Sequence, residues 1–178
     1  MRGGRGPKSK GANWEREVCR MLSRWLTRDA LDDVFWRSSM SGGRANVHRK
    51  QGRKTADAAA GDICAIRPEG ARFLDVFFVE CKAARDIMLE AYLFAGFKGK
   101  REDHWHKPRA QARQHGKIPL VIIKRNNLPP MVMVGPDGQS ELGRLARERM
   151  RALAYFPLFG AAVYELSYVL NVCNPRRL

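Results

Sequence analysis

GDICAI at 61–66 and RFLDVFFVECKA at 72–83 are the stretch on which the fold turns. Both runs are rich in β-branched and aromatic residues and are bounded by turn formers, so they read as two strands. Pro68, Glu69 and Gly70 lie between them, and the simplest expectation is a hairpin that sets Asp62 beside Glu80. Side chains alternate across a strand, so Glu80 and Lys82 of VECKA share one face while Val79 and Cys81 take the other. Opposite charges on an otherwise apolar strand are costly to bury unless they are paired or bound to a cation.

Taken alone, Glu80-x-Lys82 reads as a strand-end salt bridge. Asp62 changes that reading, because two carboxylates and a lysine then converge. Phosphodiester hydrolysis asks for this set: hard oxygen ligands for Mg²⁺, which keeps several waters, and an ammonium that orients water or stabilises charge in the transition state. Asp57 and Asp75 are weaker substitutes for Asp62, since Asp57 falls in a loop and Asp75 falls on the opposite face of the expected strand.

Working outward, NWEREVCRMLSRWLT at 13–27 spaces Trp14, Val18, Met21, Leu22 and Trp25 as on an amphipathic helix, with Asn13 as N-cap. VFWRSS at 34–39 reads as a short strand and residues 40–60 as a long Gly-rich basic loop carrying Arg44, His48, Arg49, Lys50, Arg53 and Lys54. Residues 87–97, IMLEAYLFAGF, suit a buried helix or a subunit contact. A polar stretch at 101–116 leads into PLVIIKRN and PMVMVG, two further strands, followed by a charged helix around 140–154 and a last apolar strand, AAVYELSYVL. Residues 1–11 are Gly, Pro, Lys and Arg with almost nothing to bury and read as a basic disordered arm. The rest, 12–178, is expected to form a single α/β domain with a central mixed β-sheet flanked by helices.

Lys and Arg number 33 against 18 Asp and Glu, a formal charge of +15. Such a surface gathers polyanions, and nucleic acid is the favoured partner because each neutralised phosphate releases counterions. The four cysteines are far apart with no CxxC pair and read as reduced core thiols of a cytoplasmic protein. No apolar run is long enough for a membrane span, and MRGGRGPKSKG has no apolar region of the signal-peptide type. Small size and basic character suggest a phage source.

GD at 61–62 with ECK at 80–82 resembles the PD-(D/E)XK nuclease superfamily, whose core is restriction-endonuclease-like. KGANWEREVCRMLSRW followed by WRSS is similar to the archaeal-type Holliday junction resolvases within it, and the likeness resumes at HGKIPLVIIKRN. It spans roughly 10–39, 61–83 and 111–126, and nothing after about residue 135 matches. The resemblance implies that Asp62 and Glu80 hold Mg²⁺, with Mn²⁺ able to substitute, and that Lys82 acts on the water. It also implies that Glu15 is a further catalytic residue and metal ligand, one that completes the acidic cluster or holds a second cation. Arg16, Arg37, Ser38 and the basic loop (Arg44, Arg49, Lys50, Arg53, Lys54) would meet DNA, and Gln111 sits where related nucleases carry a polar residue flanking the site. A homodimer cutting a four-way junction symmetrically is the implied assembly, with 87–97 or the C-terminal strand as subunit contact. The alternatives are a fork, flap, end-processing or restriction-type nuclease on the same core, and a DNA-binding protein without catalysis, which leaves Asp62 and Glu80 unexplained. A zinc site at His104, His106 and His115 lacks a Cys partner and HExxH spacing.

Overall fold

The computed structural model describes residues 7–38, 61–84 and 104–178. Its first element is a long helix, α1 (Pro7–Thr27), which starts six residues before the expected Asn13 cap. Its first turns therefore take in residues 7–11, which their composition assigned to a disordered arm. Trp14, Val18, Cys19 and Leu22 form its buried stripe, the three- and four-residue spacing visible in the sequence.

β1 (Phe35–Arg37) follows. Ser23 locks the two together: its hydroxyl donates to the Cys19 carbonyl at 2.7 Å and accepts the N–H groups of Val34 and Phe35, each at 3.0 Å. Fully buried Ser23 thus satisfies two backbone donors that would otherwise be stranded at the strand entry.

β2 (Ile63–Ala65) pairs with β1, antiparallel, with Trp36 opposite Cys64. This corrects the expected hairpin: 61–66 and 72–83 are not ladder partners. Pro68–Gly70 is a 3-10 turn with Pro at its first position, and it runs into α2 (Ala71–Val76). Phe73, Leu74 and Phe77 are buried, a spacing that a helical turn and a strand satisfy almost equally. Exposed Asp75 lies on this helix and not on a strand face.

β3 (Phe77–Ala84) begins a second sheet. α3 (His106–Gln114) leads into β4 (Ile118–Arg125), parallel to β3 with Glu80 beside Val121 and Lys82 beside Ile123. β5 (Met131–Val134) is antiparallel to β4. α4 (Pro136–Leu145) comes earlier than the helix expected at 140–154, because Pro136 supplies the fixed φ of a first helical position. β6 (Ala154–Phe156) and β7 (Ala161–Glu165) complete the order β3-β4-β5-β7-β6. The apolar run 161–170 divides at Glu165 and continues as α5 (Leu166–Val172), where buried Leu166, Val169 and Val172 take helical spacing.

The sheet separates two cores. Phe77, Val79 and Cys81 of β3, with Leu120 and Ile122 of β4, pack against Trp14, Val18 and Leu22 of α1 and Leu142 and Leu145 of α4. On the other face Val121, Ile123, Met131, Met133 and Phe156 surround Trp105, and Phe78 packs on Ala112 of α3. The result is the expected α/β architecture, a five-stranded mixed sheet flanked by helices. β7 lies between β5 and β6, with β6 pairing its Ala161–Val163 part. Among the described residues no helix is long and apolar enough to cross a membrane.

Candidate active site

Asp62 reaches β3 by a route the hairpin did not anticipate. Its N–H donates to the Val79 carbonyl at 2.9 Å, its carbonyl accepts from Ser38 N–H at 2.8 Å, and its Oδ2 accepts from Cys81 N–H at 2.8 Å. Three backbone-anchored bonds hold the residue between β1 and the outer edge of β3. Gly61 makes this approach possible: it sits at φ +95°, and a Cβ there would lie 2.5 Å from the Val79 carbonyl oxygen. Only glycine combines that left-handed backbone with so close a contact.

Glu80 and Lys82 share the face of β3 opposite Val79 and Cys81, as the alternation predicts, and the Lys82 Nζ lies 2.5 Å from Glu80 Oε1. Asp62 and Glu80 are both buried. Burial, reinforced by the charge of Glu80, pushes the Asp62 carboxyl up to about 7, while the Cys81 N–H and Lys82 pull the other way. Burial also works against the Lys82 ammonium, but the charge and hydrogen bond of Glu80 and the charge of Asp62 outweigh it and hold Lys82 above an ordinary lysine. Desolvation drives the Cys81 thiol well above its usual range, and its side chain packs in the core on the α1 side of the sheet.

Glu15 projects from α1 and accepts from Arg37 Nε at 2.5 Å. Its charge also contributes to the rise of Asp62, which puts it in the same electrostatic neighbourhood. Arg37 therefore joins α1 to β1 at the rim of the site. Arg16 is exposed one helix position on, and its guanidinium donates to Asn13 Oδ1 at 2.8 Å. Ser38 is buried and meets Asp62 through its backbone. Gln111 is half-buried on α3. One turn further on, His115 stacks on Phe78, with ring centroids 6.1 Å apart. Gln111 precedes Ala112, which packs on Phe78 of β3. Arg44, His48, Arg49, Lys50, Arg53, Lys54, Asp57 and the 87–97 run lie outside the described residues.

The chemistry of the donor set suits a hard divalent cation. Among the described residues no three His, Cys, Asp or Glu side chains converge as a cage, whereas Mg²⁺ is commonly held by one or two carboxylates with water and substrate oxygens completing its shell. Asp62 and Glu80 form such a pair, buried together with mutual repulsion that a cation would relieve. Two of the histidines pack on aromatic rings: besides His115 on Phe78, His106 packs on Phe159 at 5.2 Å.

The sequence model of a family described as "Phage putative PDDEXK endonuclease" matches residues 6–152. That span takes in α1, the Asp62 turn, the Glu80-x-Lys82 strand and the sheet as far as β5. No curated protein and no solved structure matches the chain.

Proposed function

Because the chain belongs to this phage PD-(D/E)XK endonuclease family, we propose that it is a divalent-metal-dependent endodeoxyribonuclease acting on branched DNA, with the four-way junction as its preferred substrate. One observation carries the nuclease part of the reading: Asp62 is clamped by its own backbone against the strand that presents Glu80 and Lys82.

Asp62 and Glu80 would hold Mg²⁺, or Mn²⁺ in its place, through oxygens left over from the Cys81 N–H and the Lys82 ammonium. When bound, the cation supplies an activated water and neutralises charge on the scissile phosphate. Lys82, held at Glu80 Oε1, would orient the attacking water and stabilise negative charge developing on the phosphate. Attack of water on phosphorus would break the bridging P–O bond, the water's proton passing to solvent and the leaving alkoxide taking one up from solvent. Glu15 steadies Arg37, whose guanidinium would serve as a phosphate ligand. Gln111 would meet DNA from α3. Arg16 and the basic loop, Arg44 to Lys54, supply backbone contacts that carry no sequence information.

The junction preference rests on the order KGANWERE, WRSS, GD, ECK and HGKIPLVIIKRN, which is similar to that of the archaeal-type resolvases. Symmetric cutting needs two sites, so the protein is proposed to act as a homodimer. The candidate contacts from the sequence are 87–97 and the C-terminal strand. A monomer by sedimentation at micromolar concentration would remove the dimer.

The deciding assay is cleavage of labelled four-way junction, flap and linear duplex DNA in Mg²⁺ by wild type, Asp62→Asn and Lys82→Ala. Symmetric junction cutting lost in both variants supports the resolvase. Cutting of flaps or duplex keeps the mechanism and changes the substrate. Tight binding with no cutting by wild type overturns the catalytic assignment.

A further inference from the structure

Trp36 has no role in the proposed chemistry, yet it occupies an unusual place. It lies on β1 between buried Phe35 and half-buried Arg37, and it is 53% exposed. Of the four tryptophans, Trp14 and Trp105 are buried and Trp25 packs on Phe73 and donates to the Cys173 carbonyl. An exposed indole loses the burial that makes tryptophan worth placing in a core. Across the ribbon Trp36 faces Cys64, and Ile66, two residues on from Cys64, is 55% exposed. The solvent side of the β1–β2 ribbon is thus an apolar strip.

Cations frame this strip. Trp36 lines a cleft between α1 and β1 together with Arg16, Arg20 and Arg37. Arg16 and Arg20 are one helical turn apart on the exposed side of α1. The acid in the cleft, Asp32, is partnered by Arg24 at 3.8 Å, so the net field there is positive. The cleft includes Arg37, which is bonded to Glu15, whose charge acts on Asp62. An aromatic face flanked by guanidinium groups is the arrangement that takes an unpaired base on the ring and its phosphates on the cations. A paired duplex, with its bases stacked inside, cannot use the ring in this way.

We propose that Trp36, with Arg16, Arg20 and Arg37, forms a stacking site for an unpaired nucleotide of the DNA strand that enters the candidate active site. The inference rests on the nuclease reading and narrows it: the substrate is one that presents an unstacked base near the cut, as at a fork, a flap or an opened junction.

Binding separates this proposal from the chemistry. Full-length wild type, Trp36→Ala, Trp36→Leu and Trp36→Phe are titrated in EDTA with a labelled oligothymidylate and with a blunt duplex of the same length. Loss of one base stack should weaken single-strand binding roughly 10- to 100-fold in Trp36→Ala and Trp36→Leu, while Trp36→Phe keeps most of it and duplex binding changes by about twofold or less. Oligothymidylate should also quench tryptophan emission in wild type and leave Trp36→Ala nearly unaffected. Equal losses on single strand and duplex, no loss at all, or wild-type affinity in Trp36→Leu would each overturn the stacking site. If those outcomes come with intact Mg²⁺-dependent cleavage by Trp36→Ala, the nuclease reading survives alone. If wild type neither binds nor cuts DNA, both fall.

Discussion

Replacing Asp62 with Asn should make the metal-free protein more stable while removing its activity. In the absence of a cation, the folded protein raises this carboxyl from 3.8 to about 7. The native state therefore holds the proton more tightly than the unfolded chain, and the stability linked to it is fully present below about pH 4 and lost as pH rises through 7. Tighter proton binding of that size corresponds to about 4 kcal/mol at most, and because Asp62 and Glu80 titrate as a pair the expectation falls to about 2–4 kcal/mol. Asn is neutral and isosteric, and its Oδ1 can still accept the Cys81 N–H that Asp62 accepts at 2.8 Å. At pH 8 in EDTA the variant should melt higher than wild type by roughly 5–10 °C for a chain of this size, and the gap should close towards pH 4. Comparing the two proteins cancels every other titrating group they share. Adding Mg²⁺ should raise the wild-type melting temperature and leave Asp62→Asn unmoved, because the cation relieves a repulsion the variant lacks. Thermal melts at pH 5 and pH 8, with EDTA and with Mg²⁺, supply all the comparisons. A variant that melts at or below wild type at pH 8 in EDTA, or a gap independent of pH, would refute the argument that buried carboxylate repulsion is stored at this site.

Three other substitutions probe the scaffold. Ser23→Ala strands the N–H groups of Val34 and Phe35 and should cost about 2–4 kcal/mol in urea unfolding; a loss under about 1 kcal/mol would mean water replaces the hydroxyl. Gly61→Ala drives a methyl into the Val79 carbonyl at φ +95°, so Asp62 should be displaced, with a cost on the order of 3 kcal/mol and cleavage abolished; normal activity would show that the loop can yield. Glu15→Gln removes the charge that pairs with Arg37 and should slow cleavage on the order of 10- to 100-fold with the fold intact by circular dichroism; a rate within about twofold of wild type would take Glu15 out of the acidic cluster.

What the sequence could disclose follows from where its information is local. The α1 stripe and the shared face of Glu80 and Lys82 depend on spacing within one element, and the periods of 3.6 and 2 announce them. β4 and β5 are short, wholly apolar runs between turn formers and were equally legible. The α2 helix was not, because Phe73, Leu74 and Phe77 fit a strand as well as a turn of helix, and the choice was made by tertiary packing. The division of 161–170 at Glu165 was hidden for the same reason. Ser23 gave no signal, since a serine within a helix is ordinarily solvated and its role here depends on where β1 begins.

Asp62 comes to lie against β3 through a different element from the one expected. A hairpin would have brought it to Glu80 by ladder pairing, yet β2 pairs with β1 and the carboxylate arrives by a single turn at Gly61. The difference matters for chemistry. In a ladder, Asp62 would be one rung among several and could shift register with the strand. Here its N–H, its carbonyl and its side chain are each bonded to a different residue, Val79, Ser38 and Cys81. Val79 and Cys81 flank Glu80 on β3, so the bonds to these two fix Asp62 relative to Glu80. The same Ser38 bond, with Ser23 on the N–H groups of Val34 and Phe35, ties β1 to both Asp62 and α1, so Trp36 and Arg37 are held at a set position relative to the carboxylate pair.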